Sequence, residues 1–155
     1  MTNYFQSRVK QGKMNEEFYK AIIEENIKDK LKACKGSYNL FDFENDTFMI
    51  ELKTREVERF KYPTTIIGYD KILKGLEYLK ENKRVIFYFG FKTDGLFKFE
   101  LNEDNHKDFK VSKIGCRFRN SLKEHLEIPV VDILEFASKE TPIQSEYSKR
   151  VRLDI

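Results

Sequence analysis

Three side chains between Asn39 and Lys53 are of the types that metal-assisted hydrolysis uses: Asp42, Glu51 and Lys53. Two carboxylates that reach a common point offer hard oxygen ligands, which suit Mg2+ or Mn2+ better than a soft metal. An ammonium group beside them can orient or deprotonate a water, or stabilise the negative charge that builds on a phosphate under attack. A Lewis acid, an activated water and a nearby cation are what hydrolysis of a phosphodiester requires. Whether these three groups meet is decided by the backbone that carries them.

Two short β segments, Asn39 to Phe43 and Thr47 to Lys53, flank the turn-forming Glu44-Asn45-Asp46 and read as a hairpin. A turn centred on Asn45-Asp46 sets Phe43 opposite Phe48 and Phe41 opposite Ile50. One face is then Phe41, Phe43, Phe48, Ile50 and Leu52, entirely apolar. The other holds Leu40, Asp42, Glu44, Thr47, Met49, Glu51 and Lys53, with Asp42 opposite Met49 and diagonal to Glu51. A slip of one residue would bury Asp42 among Phe48 and Ile50 without a partner, so the apolar pattern favours the first register. Diagonal neighbours lie ~7–8 Å apart at the backbone, close enough for two carboxylates to share a cation. Lys53, two residues beyond Glu51, points the same way.

Other elements must hold this hairpin in place. Asn15 to Cys34 carries Phe18, Ile22, Ile23, Ile27 and Leu31 at helical spacing, with Gly36 as its expected stop. A charged connection leads to Pro63. A second helix is expected over Tyr69 to Glu81, burying Ile72, Leu73, Leu76 and Leu79. Val85 to Phe89 has no polar alternation and should be a strand covered on both faces. Asp94-Gly95 turns the chain into an alternating, more exposed strand, Leu96 to Leu101. Lys110 to Arg117 reads as a further strand, and Ile128 to Val131 as a short edge strand because Pro129 cannot donate to a ladder. The fold class is α/β (α+β), a mixed central sheet flanked by helices in one domain spanning 1–155, with residues 1–13 and 141–155 loosely ordered.

The segments Phe41-Asp42-Phe43 and Ile50-Glu51-Leu52-Lys53 resemble the active-site hairpin of the PD-(D/E)XK nuclease superfamily. No Pro precedes the Asp, since Phe41 stands there. The resemblance implies a restriction-endonuclease-like fold. It implies that Asp42, Glu51 and the Leu52 backbone carbonyl hold Mg2+ or Mn2+, and that Lys53 assists the attacking water. It further implies hydrolysis of nucleic acid, DNA foremost, in repair, recombination or virus and phage replication. The stretch after Leu101 has no counterpart in it.

Members of that family often add an acid from the first helix and a basic residue from the second. Glu16 falls on the stripe of Ile23, Ile27 and Cys34 and would face inward at the helix start, or else simply complement the helix dipole behind Asn15 as cap. Lys71, beside Ile72, matches the second position, although a solvated lysine on a helix flank is the plainer account. Arg55, Arg59 and Lys61 follow the hairpin and could hold a phosphate backbone, as could Thr64 and Thr65, which fit equally well as strand residues. Lys107, Lys110, Lys113, Arg117, Arg119 and Lys123 form a looser basic series, and Lys149, Arg150 and Arg152 a basic tail.

Composition bounds the rest. With 29 Lys and Arg against 26 Asp and Glu, the net charge of +3 does not by itself indicate a polyanionic partner. The 14 Phe and 8 Tyr, against no Trp, suit a β-rich core. Cys34 and Cys116 read as reduced, packed thiols, and His106 and His125 lack zinc spacing with them. The first residues lack signal-peptide order and no apolar run nears the ~20 residues of a membrane span. The expectation is an intracellular protein, cytoplasmic or nuclear (in the host cell if viral), binding nucleic acid and no membrane, with a homodimer compatible with its small size. Two rival readings stand beside the nuclease: a catalytically inactive nucleic-acid-binding or protein-interaction module of the same fold, and an unrelated α+β interaction domain whose hairpin face is solvated.

Overall fold

A strand with apolar side chains on both sides must be covered twice, and the run Val85 to Phe89 organises the molecule on that basis. A computed structural model describes residues 3–35, 40–116, 121–131 and 133–142. Its elements are α1 (Asn3–Ile27), β1 (Lys32–Ala33), β2 (Phe43–Glu44), β3 (Phe48–Thr54), β4 (Thr64–Gly68), α2 (Tyr69–Lys80), β5 (Arg84–Phe91), β6 (Gly95–Leu101), β7 (Val111–Cys116), β8 (Ser121–Pro129) and β9 (Glu135–Ser138). A six-stranded mixed sheet has the order β1-β2-β3-β5-β6-β9, and a three-stranded sheet the order β4-β8-β7. The β3–β5 pair is parallel, whereas the other pairs are antiparallel.

The central strand β5 alternates between two cores. Ile86 and Tyr88 pack with Tyr19, Ile22 and Ile23 of α1 and with Phe43, Phe48, Ile50 and Leu52. Val85, Phe87 and Phe89 pack on the opposite side with Met49, Ile72 of α2, and Ile67, Leu126 and Ile128 of the second sheet. The layers are therefore α1, the six-stranded sheet, and then α2 with the three-stranded sheet. No helix of the described residues is long and apolar enough to cross a membrane.

Several expectations are corrected. The first helix runs from Asn3 to Ile27 rather than from Asn15 to Cys34. It stops at Lys28, which adopts a left-handed φ of 59°, while the Asp29 amide donates to the Glu24 carbonyl at 3.2 Å. This six-to-one bond is a Schellman closure made without glycine. Gly36, Arg117, Arg119, Lys149, Arg150, Arg152, residues 143–155 of the tail and the side chain of Cys116 lie outside the described residues. Leu73 is 50% exposed and leaves the buried stripe of α2. Strand β6 is not the exposed strand expected: β9 pairs along it, and all its residues but Lys98 and Glu100 are buried. Pro129 does not mark an edge strand either: it is the last residue of β8, the middle strand of its sheet, opposite Thr64.

The hairpin register also differs. Asn45 caps a longer loop, its Oδ1 accepting from the Thr47 and Phe48 amides at 2.8 and 2.7 Å. The pairs become Glu44 with Met49 and Phe43 with Ile50, two residues away from the expected alignment. A shift of two preserves which face each side chain of a regular strand takes. Phe41 is the exception. Pairing ends at Phe43, and Phe41 joins the opposite core against Phe87 and Tyr78.

The seat of α2 is tight. A Cβ on Gly75 would come within 2.8 Å of a Leu101 methyl and 3.1 Å of Val85. Gly75→Leu is expected to lower stability by about 1–3 kcal/mol through overpacking, read as a lower urea midpoint. Gly75→Ala should cost less, since alanine recovers about 1 kcal/mol of helix propensity. Equal midpoints for Gly75→Leu and wild type would contradict this contact.

Candidate functional site

The side chain at residue 51 of β3 belongs to the face that Met49 shares with α2, and there an ordinary sequence would place a hydrophobe. It is a glutamate, and it is only 2% exposed. Its Oε2 lies 2.7 Å from Nζ of Lys71, in the first turn of α2, and its Oε1 lies 3.8 Å from Nζ of Lys53 on its own strand. Asp42 completes the group. The backbone bends at Asp42, whose amide still donates to the Ile50 carbonyl at 3.0 Å, while its Oδ2 accepts from the Leu52 amide at 2.8 Å. Carried one residue past Phe43, the observed register sets Asp42 beside Glu51 rather than diagonal to it.

These groups strongly perturb one another. Burial and the adjacent Asp42 carboxylate push the Glu51 carboxyl up to about 8, and the lysine ammonium groups only partly offset this. Burial pulls Lys53 down to about 8, helped by Lys71 and opposed by the Glu51 carboxylate. For Lys71, burial disfavours the charge, but its hydrogen bond to Glu51 and the nearby Asp42 outweigh it, and its affinity for the proton is raised. A carboxyl and an amine that both titrate near neutrality can exchange a proton at little cost, which is the property a general acid or base needs.

Of the sequence-predicted residues, Asp42, Glu51, Lys53 and Lys71 are thus brought together. Glu16 is not at a helix start, because α1 begins at Asn3, and the buried residues of α1 cover the opposite face of the sheet from Glu51. For Leu52, the amide is what binds Asp42. Arg55 and Arg59 line a cavity with Thr64 and Thr65, whereas Lys61 is exposed and lies outside that lining. Thr64 and Thr65 are strand residues of β4. In the downstream series, Lys107 pairs with Asp104, Lys110 with Glu127 and Lys123 with Asp70, so these lysines serve ordinary surface pairs.

One neighbour escaped the sequence reading. The Cys34 thiol donates to Glu44 Oε2 at 3.2 Å, and burial together with Glu44 pushes it up to about 12. It is a protonated thiol bordering the carboxylates, and no motif signals it because the contact depends on where α1 stops.

The donor set for a cation is sparse. Among the described residues no group of three or more His, Cys, Asp and Glu side chains gathers to hold a metal ion. Two carboxylates nevertheless suit Mg2+, which keeps several waters and is commonly held by one or two carboxylates. The crowding that raises Glu51 is what a divalent cation relieves, and the Lys71 ammonium already stands against Oε2 as a cation. No protein-family model, no curated protein and no solved structure matched this chain.

In chelator, the shifts fix a pH profile. Between the ordinary glutamate value of 4.5 and about 8 the folded protein keeps a proton on Glu51 that the unfolded chain has lost, so stability falls as pH rises through this window. Between about 8 and the ordinary lysine value of 10.5 the unfolded chain holds the extra proton on Lys53, so stability rises again. Urea midpoints measured from pH 5 to 10 should pass through a minimum near pH 8, and Glu51→Gln should flatten the falling limb. Parallel profiles for the two proteins would refute the assignment.

Proposed function

We propose that this chain is a metal-dependent nuclease that hydrolyses phosphodiester bonds, with DNA as its principal substrate. The reading is carried by one observation: a buried Glu51 carboxyl with the half-buried Asp42 carboxylate and two lysines, Lys53 and Lys71, beside it. Its likeness to the PD-(D/E)XK hairpin supports the reading, as does the mixed sheet with helices on both faces. Asp42, Glu51 and the Leu52 carbonyl would hold Mg2+ or Mn2+. When bound, the ion supplies a Lewis acid for the phosphoryl oxygen and a water of lowered pKa.

The protein groups then divide the remaining work. Lys53, its Nζ poised near neutrality, takes or returns a proton at the attacking water. Lys71 keeps its charge and faces the negative charge that develops on the phosphate. Burial of Glu51 limits how far bulk water screens these interactions. An intracellular setting, cytoplasmic or nuclear, is part of the proposal and suits the free thiol of Cys34.

One observation favours a second reading. The Lys71 ammonium at 2.7 Å from Glu51 can serve as a built-in counter-cation, making the cluster a structural ion network in a non-catalytic nucleic-acid-binding module. Hydrolysis of single-stranded, duplex and branched DNA and of RNA, in Mg2+, Mn2+ or EDTA, separates the two. The proposal expects cleavage that needs the metal and falls by about 10²–10⁴-fold in Lys53→Ala. Glu51→Gln should abolish it. Binding without cleavage by the wild type would select the second reading, and metal-dependent cleavage surviving both substitutions would sink the first.

A further inference from the structure

Just beyond Lys53 the chain leaves the sheet and builds a cavity of about 370 Å³. Arg55, Arg59, Tyr62, Thr64, Thr65 and Phe91 are among its walls. Arg55 is fixed there from three sides. Its amide donates to the Gly90 carbonyl at 2.7 Å, its Nε to Thr65 Oγ1 at 3.2 Å and its Nη2 to the Ile66 carbonyl at 2.6 Å. Arg59 is sandwiched between the rings of Phe60 and Phe97, 4.6 and 4.2 Å from their centroids, and donates to the Val130 carbonyl at 3.1 Å.

Both guanidinium groups are thus held by neutral partners. Among the described residues neither forms an ion pair with a carboxylate, and the buried Nε of Arg59 has no partner. Glu58 is the one carboxylate in the lining and forms no ion pair with either arginine, so two pre-positioned guanidiniums outweigh it at the cavity wall, and their planar donors suit an anion such as phosphate. An unmet buried donor is also what remains when the natural partner is a ligand. Aromatic surface lies alongside: Tyr62, in the lining, is 57% exposed and offers a ring face for stacking.

We propose that this cavity seats one unpaired nucleotide of a single-stranded nucleic acid, its phosphate against Arg55 and Arg59 and its base on the Tyr62 ring. The volume falls in the range of small-ligand pockets. A base within a duplex is stacked and paired and cannot enter without being extruded, so the cavity discriminates for single strands. Arg55 lies two residues past Lys53, just beyond the end of β3, so the seated nucleotide is taken to neighbour the phosphate presented to Lys53. This last role rests on the nuclease reading, whereas the binding does not.

The test is fluorescence anisotropy of the full chain in EDTA, with a labelled single-stranded thymidine 12-mer, a duplex of the same length, and calorimetry with free thymidine monophosphate. The single strand should bind at least tenfold tighter than the duplex. Tyr62→Ala should weaken it about tenfold while leaving duplex binding and the melting temperature unchanged, and Tyr62→Phe should restore it, because the ring does the stacking. Arg55→Gln should also weaken it, provided its melting temperature stays that of the wild type. Equal affinity for single strand and duplex, or a Tyr62→Ala variant that binds the single strand like wild type, overturns the assignment. Free thymidine monophosphate bound as tightly as the 12-mer overturns the commitment to a strand. Because no step requires hydrolysis, an inactive protein with Tyr62-dependent binding defeats only the nuclease reading, and an active one without it defeats only the cavity.

Discussion

A carboxylate buried in the middle of a sheet is the constraint to which the rest of this structure answers. Glu51 stands on β3 with β2 on one side and β5 on the other, and almost none of it reaches solvent. An isolated ionised carboxyl in such a place would be prohibitive, and it persists only with partners. Lys71 and Lys53 are those partners, one from across the layer and one from its own strand. Asp42 works against them by adding a second negative charge to the same small volume. Asp42 satisfies the Leu52 amide, a bond an asparagine would also make without adding a charge beside Glu51. The arrangement therefore makes sense as one that keeps charge density in a sheltered place.

The topology supplies Lys71 without any special device. Parallel strands cannot be joined by a hairpin, so the chain must leave the end of β3, cross one face of the sheet and return at the start of β5. That crossover contains β4 and α2. It lies on the face toward which Met49 and Glu51 point, because Ile72 of α2 and Ile67 of β4 share a core with Met49. Gly75 lets the helix approach closely, and its first turn then falls over the carboxylate. Arg55 secures the departure point. It ties the end of β3 to Gly90 on one side and to β4 on the other, so the same residue that frames the cavity also fixes the route to Lys71.

The sequence disclosed these features unequally, for physical reasons. Val85 to Phe89 was legible because an unbroken apolar run has few places to go, and both cores indeed meet on it. Asp42, Glu51 and Lys53 were legible as a set because alternation survives an error of two in register. Phe41 was not, since the strand that would have forced it to alternate stops at Phe43. The end of α1 was hidden because Lys28 closes the helix in a conformation usually given to glycine. Strand β9 was missed because a short edge strand with exposed residues carries little pattern. Lys71 could be named as a candidate, but its contact with Glu51 depends on the crossover, which no local periodicity encodes.

Charge balance ties the carboxylates to the cavity. Below about pH 8 the proton kept on Glu51 leaves the cluster with one net positive charge, and once it is lost two carboxylates and two ammonium groups sum to zero. On the proposed reading a divalent cation added to this neutral cluster meets Lys53 and Lys71 as like charges, so binding of the cation alone is opposed. A phosphate entering beside it supplies the missing negative charge and draws the lysines away from Glu51. Cation and substrate then favour one another, and by linkage the favour is equal in both directions. On that reading the lysines paired with Glu51 in the free protein become, with phosphate present, the groups that stabilise its charge. Whether the cluster is structural or catalytic is then a matter of what anion reaches it, and Arg55, two residues beyond Lys53, lines a separate cavity that would hold one.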